Sequence, residues 1–360
     1  MKARSIDAID EPRAPASTNA ARGNVLVRAL CGTAPAPTLS VLIYHRVLTR
    51  FDPLRPGEPT NAQFEARMRW LKANFDVVSL ADGVAGLRNR SLPRRALAIT
   101  FDDGYRDNHD IALPILVRAG IPATFFVATE YLDGGRMFND TVIEAIRTID
   151  APVLDLEADG LGVHSLADDA AREAAVRRLL PQVKYLPQAR REAVADLIAR
   201  LAPAPLPNDL MMSSEQVHAL RAAGMDVGAH TRTHPILTAI SASQARDEIV
   251  NGRKRLESIT GDRVSLFAYP NGQPNVDFTA AHVAMVREAG FSGAASTAWG
   301  AAHAETDLFQ LPRFTPWDRS DWKFGLRIAS SRWSSDAHFV DGAQTPSTAA
   351  ADANVEGRFS

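Results

Sequence analysis

The stretch Ala96-Leu97-Ala98-Ile99-Thr100-Phe101-Asp102-Asp103-Gly104 decides the fold. Its apolar residues predict a strand over 96–101, and this strand ends in two adjacent carboxylates and a glycine. Taken alone, Asp-Asp-Gly after a strand is typical of a turn or a helix N-cap. The acidic pair therefore gains a functional meaning only from partners elsewhere in the chain.

Two later strands also end in polar residues. A strand predicted over 225–229 is followed by His230-Thr231-Arg232-Thr233-His234-Pro235, and one over 264–268 by Tyr269-Pro270-Asn271-Gly272. His-x3-His is a weak signal alone, and Tyr-Pro-Asn-Gly is also typical of a simple β-turn. Three polar strand ends in this order nevertheless favour a metal centre. One aspartate and two histidines would hold the ion on one face and leave the second aspartate beside its water.

Strands and helices alternate along the chain, which indicates βα architecture without an internal repeat. The predicted strands cover 40–44, 96–101, 123–128, 225–229, 264–268 and 292–296. The predicted helices cover 61–74, 111–119, 213–223, 241–260 and 279–289.

The two motifs at Thr100 to Gly104 and at His230 to Pro235 resemble those of the NodB-like polysaccharide deacetylases, carbohydrate esterase family 4. The resemblance runs from about residue 40 to 319. The strand at 123–127 and the opening Tyr44-His45-Arg46-Val47 are similar to the exopolysaccharide, or biofilm-polysaccharide, branch. The resemblance implies an α/β fold, a distorted (β/α) barrel of the NodB-homology type. It also implies one divalent metal ion, with Zn2+ expected first and Co2+, Ni2+ or Fe2+ as alternatives.

The resemblance also assigns roles, which the spacing alone leaves open. Asp103, His230 and His234 would hold the metal, and Asp102 would be the general base, with a pKa that permits proton exchange near neutrality. The backbone N–H of Asn271 would hold the oxyanion, a contribution of about 3 kcal/mol.

Two departures from the family pattern concern the remaining groups. No arginine precedes Pro270, where many relatives have one, and Leu311-Pro312-Arg313 replaces a Leu-x-His motif that supplies a general acid. Arginine stays protonated and cannot be that acid. Arg313 would instead bind the catalytic carboxylate or a substrate oxygen. His45 or metal-bound water would donate the proton, unless His45 is a structural histidine.

Composition and charge fit a globular enzyme. The 360 residues are 46% hydrophobic, and 40 basic against 42 acidic residues give a net charge of −2. This balance gives no attraction to nucleic acid. A single cysteine, Cys31, rules out an internal disulfide. No signal peptide or transmembrane segment is evident, so we expect a cytoplasmic protein, with a periplasmic or membrane-associated location as the alternative.

The predicted domain covers residues 39–333. A disordered arm is expected over 1–38 and a disordered tail over 334–360, because both are rich in small and polar residues. A helical insertion is expected over about 134–209, either as a cap that adds core or as a wall of a glycan groove. Three aromatic residues near the last strand would either stack on sugars or pack internally: Trp299, Phe314 and Trp317.

The resemblance implies hydrolytic removal of N-acetyl groups from amino sugars. The expected partner is an N-acetylated bacterial exopolysaccharide or its lipid-linked oligosaccharide precursor, and the oligomeric state is open. One alternative is a hydrolase of another carbon–nitrogen bond, such as an N-formyl sugar or a cyclic amide. A second alternative is a non-catalytic glycan-binding module, although the metal ligands and the base are all present.

Overall fold

The computed structural model describes residues 27–31, 37–316, 320–332 and 339–340. In this part of the chain a seven-stranded sheet forms the centre, and all of its strand pairs are parallel. The strands are β1 (Ser40–Tyr44), β2 (Asp76–Val77), β3 (Ala96–Phe101), β4 (Thr124–Val127), β7 (Asp226–Ala229), β8 (Leu266–Ala268) and β9 (Gly293–Ala295). Their order in the sheet is β1-β3-β4-β7-β8-β9, and β2 pairs with β3 beside that path.

The sheet curls into a barrel because a short segment joins its two edges. Leu311 bridges to Ala295 of β9, and Phe314 bridges to Leu42 of β1, both in parallel. Two backbone hydrogen bonds support these bridges, from Leu311 N–H to the Ala294 carbonyl at 2.8 Å and from Phe314 N–H to the Val41 carbonyl at 3.0 Å. The predicted distorted (β/α) barrel is thereby confirmed. Arg313 lies within the closing segment.

The strands are buried because their side chains are apolar on both faces, as expected for parallel sheets covered by helices. On the outer face of the sheet, next to Phe64, the rings of Phe101 and Phe125 stack with centroids 4.7 Å apart, and Tyr44 lies 5.5 Å from Phe101. The carboxyl ends of these strands all face the same mouth of the barrel.

Helices follow most of the strands. Outside the insertion they are α1 (Asn61–Asn74), α2 (Leu80–Asn89), α3 (Leu113–Ala119), α7 (Ser214–Ala222), α8 (Ala242–Thr260), α9 (Ala280–Glu288) and α10 (Asp321–Ser331). The helix predicted over 111–119 differs, because a π-helical turn (Asn108–Ala112) precedes α3. Neither α2 nor α10 was predicted from the sequence. α1 begins at a capping box formed by Thr60 and Gln63, which satisfies its first N–H groups.

The stretch predicted as a helical insertion forms a layer with its own core. It contains α4 (Phe138–Thr148), α5 (Asp169–Lys184) and α6 (Gln188–Ala199), and also a hairpin of β5 (Val153–Leu156) and β6 (Gly162–Ser165) that the sequence analysis missed. Buried residues of these elements, including Ile146, Leu179 and Ile198, form a cluster separate from the barrel core. The insertion is therefore a second packing unit beside the barrel mouth.

The predicted disordered arm and tail lie largely outside the described residues. Within the arm the structure differs from the expectation, because residues 27–31 are helical, and Val27 and Cys31 are buried in the main core. Apolar side chains at a spacing of four place both on one helix face. In the tail, Val340 is buried, and its N–H donates to Gln310 at 2.7 Å. Among the described helices, none is long and apolar enough to span a membrane.

Candidate metal centre

Three side chains meet at the barrel mouth. The Asp103 Oδ1 atom lies 3.5 Å from His230 Nε2 and 3.4 Å from His234 Nε2, and the two Nε2 atoms lie 3.1 Å apart. A tetrahedral ion with bonds of about 2.1 Å separates its ligand atoms by about 3.4 Å. The triangle therefore fits one divalent ion bound on one face, leaving the other positions open. The same three residues form a candidate metal-binding group in the described part of the chain.

Hydrogen bonding orients the first histidine. His230 follows β7, and its Nδ1 atom lies 2.8 Å from the Ala268 carbonyl at the end of β8. A carbonyl oxygen only accepts, so Nδ1 carries the proton of the neutral imidazole and Nε2 keeps its lone pair for an ion. The neighbouring strand thus selects the tautomer that a metal requires.

The charges of His234 and Asp103 also suit a cation. Burial lowers the pKa of His234 to about 3, so this imidazole is neutral and offers a lone pair. Burial alone would raise the pKa of Asp103, but the hydrogen bond with His230 outweighs it. The pKa of Asp103 is therefore lowered and the carboxylate is ionised.

Arg313 holds the second aspartate. Its Nη1 and Nη2 atoms each donate to one oxygen of Asp102 at 2.8 Å. The guanidinium also donates to Thr100 at 3.1 Å and to the Ser296 carbonyl at 2.8 Å, so it is fixed by three elements of the barrel. Burial raises the pKa of Asp102, but the charge of Arg313 outweighs it, and the pKa is lowered. The pKa therefore lies below the near-neutral range expected from the sequence, because Arg313 binds the carboxylate, one of the two alternatives that the sequence left open.

The other two predicted residues lie at the same end of the barrel. His45 directly follows β1, and its charge lowers the pKa of both Asp102 and Asp103. Asn271 lies three residues after β8 in a left-handed conformation, with φ 59°. Its carbonyl accepts from Thr297 at 2.8 Å, while its N–H has no acceptor among the described residues.

The loop of residues 230–234, which we call the histidine loop, and the turn at Asp103 contain strained backbone positions. Asp103, Thr231 and His234 have φ values of 78°, 62° and 54°, a region that β-branched and bulky residues rarely adopt. Thr231 is fully buried, and its hydroxyl accepts from the N–H of His234 at 3.1 Å. Helix α8 approaches closely here, since a Cβ atom on Gly252 would lie 2.7 Å from the Thr231 carbonyl oxygen. The helix therefore holds the loop in place.

A buried polar network that was not predicted from the sequence links the centre to the insertion. The Tyr105 hydroxyl donates to Asp140 of α4 at 3.1 Å, and Arg55 bridges Asp140 and Glu144 at 3.0 and 2.8 Å. The Arg46 guanidinium lies 4.6 Å from the centre of the Tyr105 ring. The only sequence signal was the polar pair Asn139-Asp140 at the start of an apolar helix, which did not reveal its distant partners.

Of the two alternatives for the three aromatic residues, internal packing holds for Phe314, which is only 4% exposed and packs in the core beside Phe324. Trp299 is 44% exposed. Trp317 lies outside the described residues.

Comparison with known proteins identifies the class to which this barrel and site belong. The family model for polysaccharide deacetylase matches residues 89–293, more than half of the chain, and includes Asp102, Asp103, His230 and His234. The chain belongs to the polysaccharide deacetylase family, whose members are carbohydrate esterases.

Individual relatives are more distant. The poly-beta-1,6-N-acetyl-D-glucosamine N-deacetylase of Staphylococcus epidermidis is 30% identical over 111 residues, which cover 27% of this chain and 38% of that protein. The chain thus matches only about a third of the length of its curated relatives. Two solved structures share the fold, the deacetylase PplD of Streptococcus pyogenes, in complex with acetate, and IcaB of Ammonifex degensii. The TM-scores are 0.55 and 0.53 and the identities 16% and 19%; the matches cover 82% and 83% of this chain and 99% and 98% of those chains.

Proposed function

We propose that this protein removes N-acetyl groups hydrolytically from amino sugars of a bacterial exopolysaccharide, with one divalent metal ion held by Asp103, His230 and His234. The observation that carries the proposal is that the ligand atoms of Asp103, His230 and His234 lie 3.1–3.5 Å apart. Asp102, which binds Arg313, lies beside them. The family membership supports the reaction class. The similarity to a poly-beta-1,6-N-acetyl-D-glucosamine N-deacetylase supports an exopolysaccharide as substrate.

The metal and the aspartates have separate tasks. A bound divalent ion supplies Lewis-acid polarisation and lowers the pKa of water. Asp102 accepts the proton of the attacking water at a carboxylate oxygen, since Arg313 keeps this group ionised and fixes its orientation. Its Oδ2 atom lies 3.9 Å from His230 Nε2, so the base lies directly beside the ligand triangle. A water held on the open side of the ligand triangle would therefore lie beside the base.

Two further groups complete the proposed mechanism. The free N–H of Asn271 donates to the developing oxyanion. His45, which directly follows β1 at the barrel mouth, donates a proton to the leaving amine. Arg313 is fully engaged with Asp102, Thr100 and Ser296, so it is a positioning residue rather than the acid.

Zinc fits the donor set of one carboxylate and two imidazoles, and cobalt, nickel and iron share this preference. The chemistry of the site would also permit hydrolysis of an N-formyl sugar or a cyclic amide. No observation favours these substrates over an N-acetyl sugar.

The test is acetate release from N-acetylglucosamine oligomers by the zinc-loaded full chain. We expect release that is lost after chelation and in Asp102→Asn, whereas the control Asp110→Asn, at an exposed position in the π-helical turn that precedes α3, keeps it. Bound zinc without acetate release would contradict the proposal and favour another carbon–nitrogen bond. Failure to bind any divalent ion would favour a binding module.

A further inference from the structure

Arg191 on the first turn of α6 has an unusual environment. The residue is only 7% exposed, and its guanidinium lies 4.9 Å from the centre of the Phe138 ring. The one hydrogen bond that the guanidinium makes within the described residues is a long one to the Lys184 carbonyl, at 3.5 Å, and no ion pair there includes it. A guanidinium carries five N–H donors, so most of them remain for a ligand. Burial lowers the pKa of Arg191, although not enough to neutralise an arginine.

Two cavities meet at this residue, between the insertion and the barrel. The first, of about 230 Å³, reaches the metal-site residue His234 and is lined on its other side by α4 and α6. The second, of about 160 Å³, runs along Pro235 and Ile236 toward Val276. Arg191 lines both cavities. The two cavities share Arg191 as a wall, the first also touches His234 and the second the neighbouring Pro235, and we call the pair the insertion groove.

The lining of the insertion groove suits a neutral, polar ligand. The first cavity contains two cationic side chains, Arg136 and Arg191, and two carboxylates, Glu192 and Asp196, so their formal charges cancel. The aromatic ring of Tyr185 in the second cavity is half exposed. Sugar rings combine hydroxyl groups with apolar faces, and such mixed linings of charged, aromatic and aliphatic groups match them.

We propose that the insertion groove binds neutral sugar units of the glycan, and that Arg191 donates hydrogen bonds to the unit next to the one that is deacetylated. This inference rests on the proposed function and deepens it, because it names the groove and the side chain that bind the sugar next to the reacting one. Each cavity is smaller than the roughly 300 Å³ at which pockets for drug-sized ligands begin, so each holds about one ring. Arg191 then determines specificity for chain length.

The experiment compares a methyl glycoside of N-acetylglucosamine with its β-1,4-linked and β-1,6-linked trimers on the zinc-loaded full chain. The variants are Arg191→Ala and Glu192→Trp, the second of which fills the first cavity from an exposed position. Arg190→Ala is the matched control, since Arg190 precedes Arg191 but pairs with Asp159 at 2.7 Å on the outside of the insertion. Trimer binding to Asp102→Asn protein, with and without Arg191→Ala, is measured in parallel by calorimetry.

We expect the wild type to prefer a trimer, and both groove variants to raise KM for that trimer about tenfold while kcat and monosaccharide turnover stay unchanged. Equal turnover of monosaccharide and trimer by the wild type would overturn the inference. So would equal losses on both substrates in Arg191→Ala. If no protein releases acetate, the proposed function fails; trimer binding that Arg191→Ala weakens would still support the groove, and its absence would refute it.

Discussion

Arg313 and Asp102 are separated by 211 positions in the chain, yet they form two parallel hydrogen bonds of 2.8 Å inside the barrel. The pair exists because the closing segment places Arg313 between β9 and β1, with its guanidinium at the carboxyl end of β3. Both residues are buried, so neither charge is tolerated without the other. This pairing determines the protonation state and the orientation of the proposed base.

Replacing Arg313 with lysine tests that role. Lysine keeps the charge but loses the two-pronged geometry, so we expect kcat for acetate release to fall about tenfold to a hundredfold with little change in KM. In a double-mutant cycle with Asp102→Asn the two losses should not add, because Arg313 acts through Asp102. Additive losses, measured in folded proteins with unchanged zinc content, would mean that Arg313 acts elsewhere.

Metal removal should destabilise the protein. Zinc that binds only the folded state stabilises it by about 2.7 kcal/mol at a free concentration 100 times Kd. We expect chelation to lower Tm in the wild type and to have no effect in His234→Ala, which loses one of the three ligands. His218→Ala, at an exposed helix position, is the control and should respond as the wild type does. An identical zinc response in His234→Ala would exclude this histidine as a ligand.

Gly252→Ala tests the contact between α8 and the histidine loop. The new Cβ atom would lie 2.7 Å from a backbone oxygen of Thr231, which cannot move without shifting both histidines. Overpacking costs about 1–3 kcal/mol, and the gain of about 1 kcal/mol from alanine in a helix offsets part of it. We expect a net loss in the free energy of unfolding, together with weaker zinc binding. Asn251→Ala on the exposed side of the same helix gains propensity without the clash, and should keep zinc affinity.

The strand ends were the predictable part of this site. Asp102, Asp103, His230 and His234 lie next to their strands in sequence, so an apolar run followed by polar residues locates each of them at the barrel mouth. The order of strands around the barrel then brings them together. A short motif and its local strand were therefore sufficient for these four residues.

Contacts between residues far apart in the chain were harder to predict from the sequence. The pairing of Arg313 with Asp102 was one of two open alternatives, because barrel closure by single bridges at Leu311 and Phe314 leaves no strand pattern. The Tyr105–Asp140–Arg55 network joins three segments whose proximity depends on how the insertion packs. The burial of Phe314 likewise follows from its register in the closing segment, which composition does not encode.

The buried position of Asp140 predicts that the free energy of unfolding depends on pH. Burial is the largest influence and raises the pKa of Asp140 to about 6, although Arg55, Arg46 and the Tyr105 hydroxyl oppose it. The folded state thus holds the proton more tightly than the unfolded chain, whose aspartate has a pKa near 3.9. The stability from this group is fully present below about pH 4 and is lost as the pH rises through 6. Asp140→Asn does not titrate, so the free energy of unfolding of the wild type minus that of the variant should fall between pH 4 and 7. A difference that stays constant or rises would contradict the raised pKa.

Cys31 tests whether residues 27–31 pack on the barrel as the structure shows. The side chain is fully buried, and burial raises the pKa of its thiol to about 11. Compared with a thiol of pKa 9.0, the thiolate fraction at pH 8 is then about a hundredfold smaller. We expect Ellman's reagent to modify native protein at least that much more slowly than protein unfolded in urea, which serves as the control for reactivity of the only cysteine. Val27→Asp should restore fast modification in the native buffer, because a buried carboxylate at that position would detach the helical turn from the core. Rapid modification of the wild type under native conditions would show that the turn does not stay packed on the barrel.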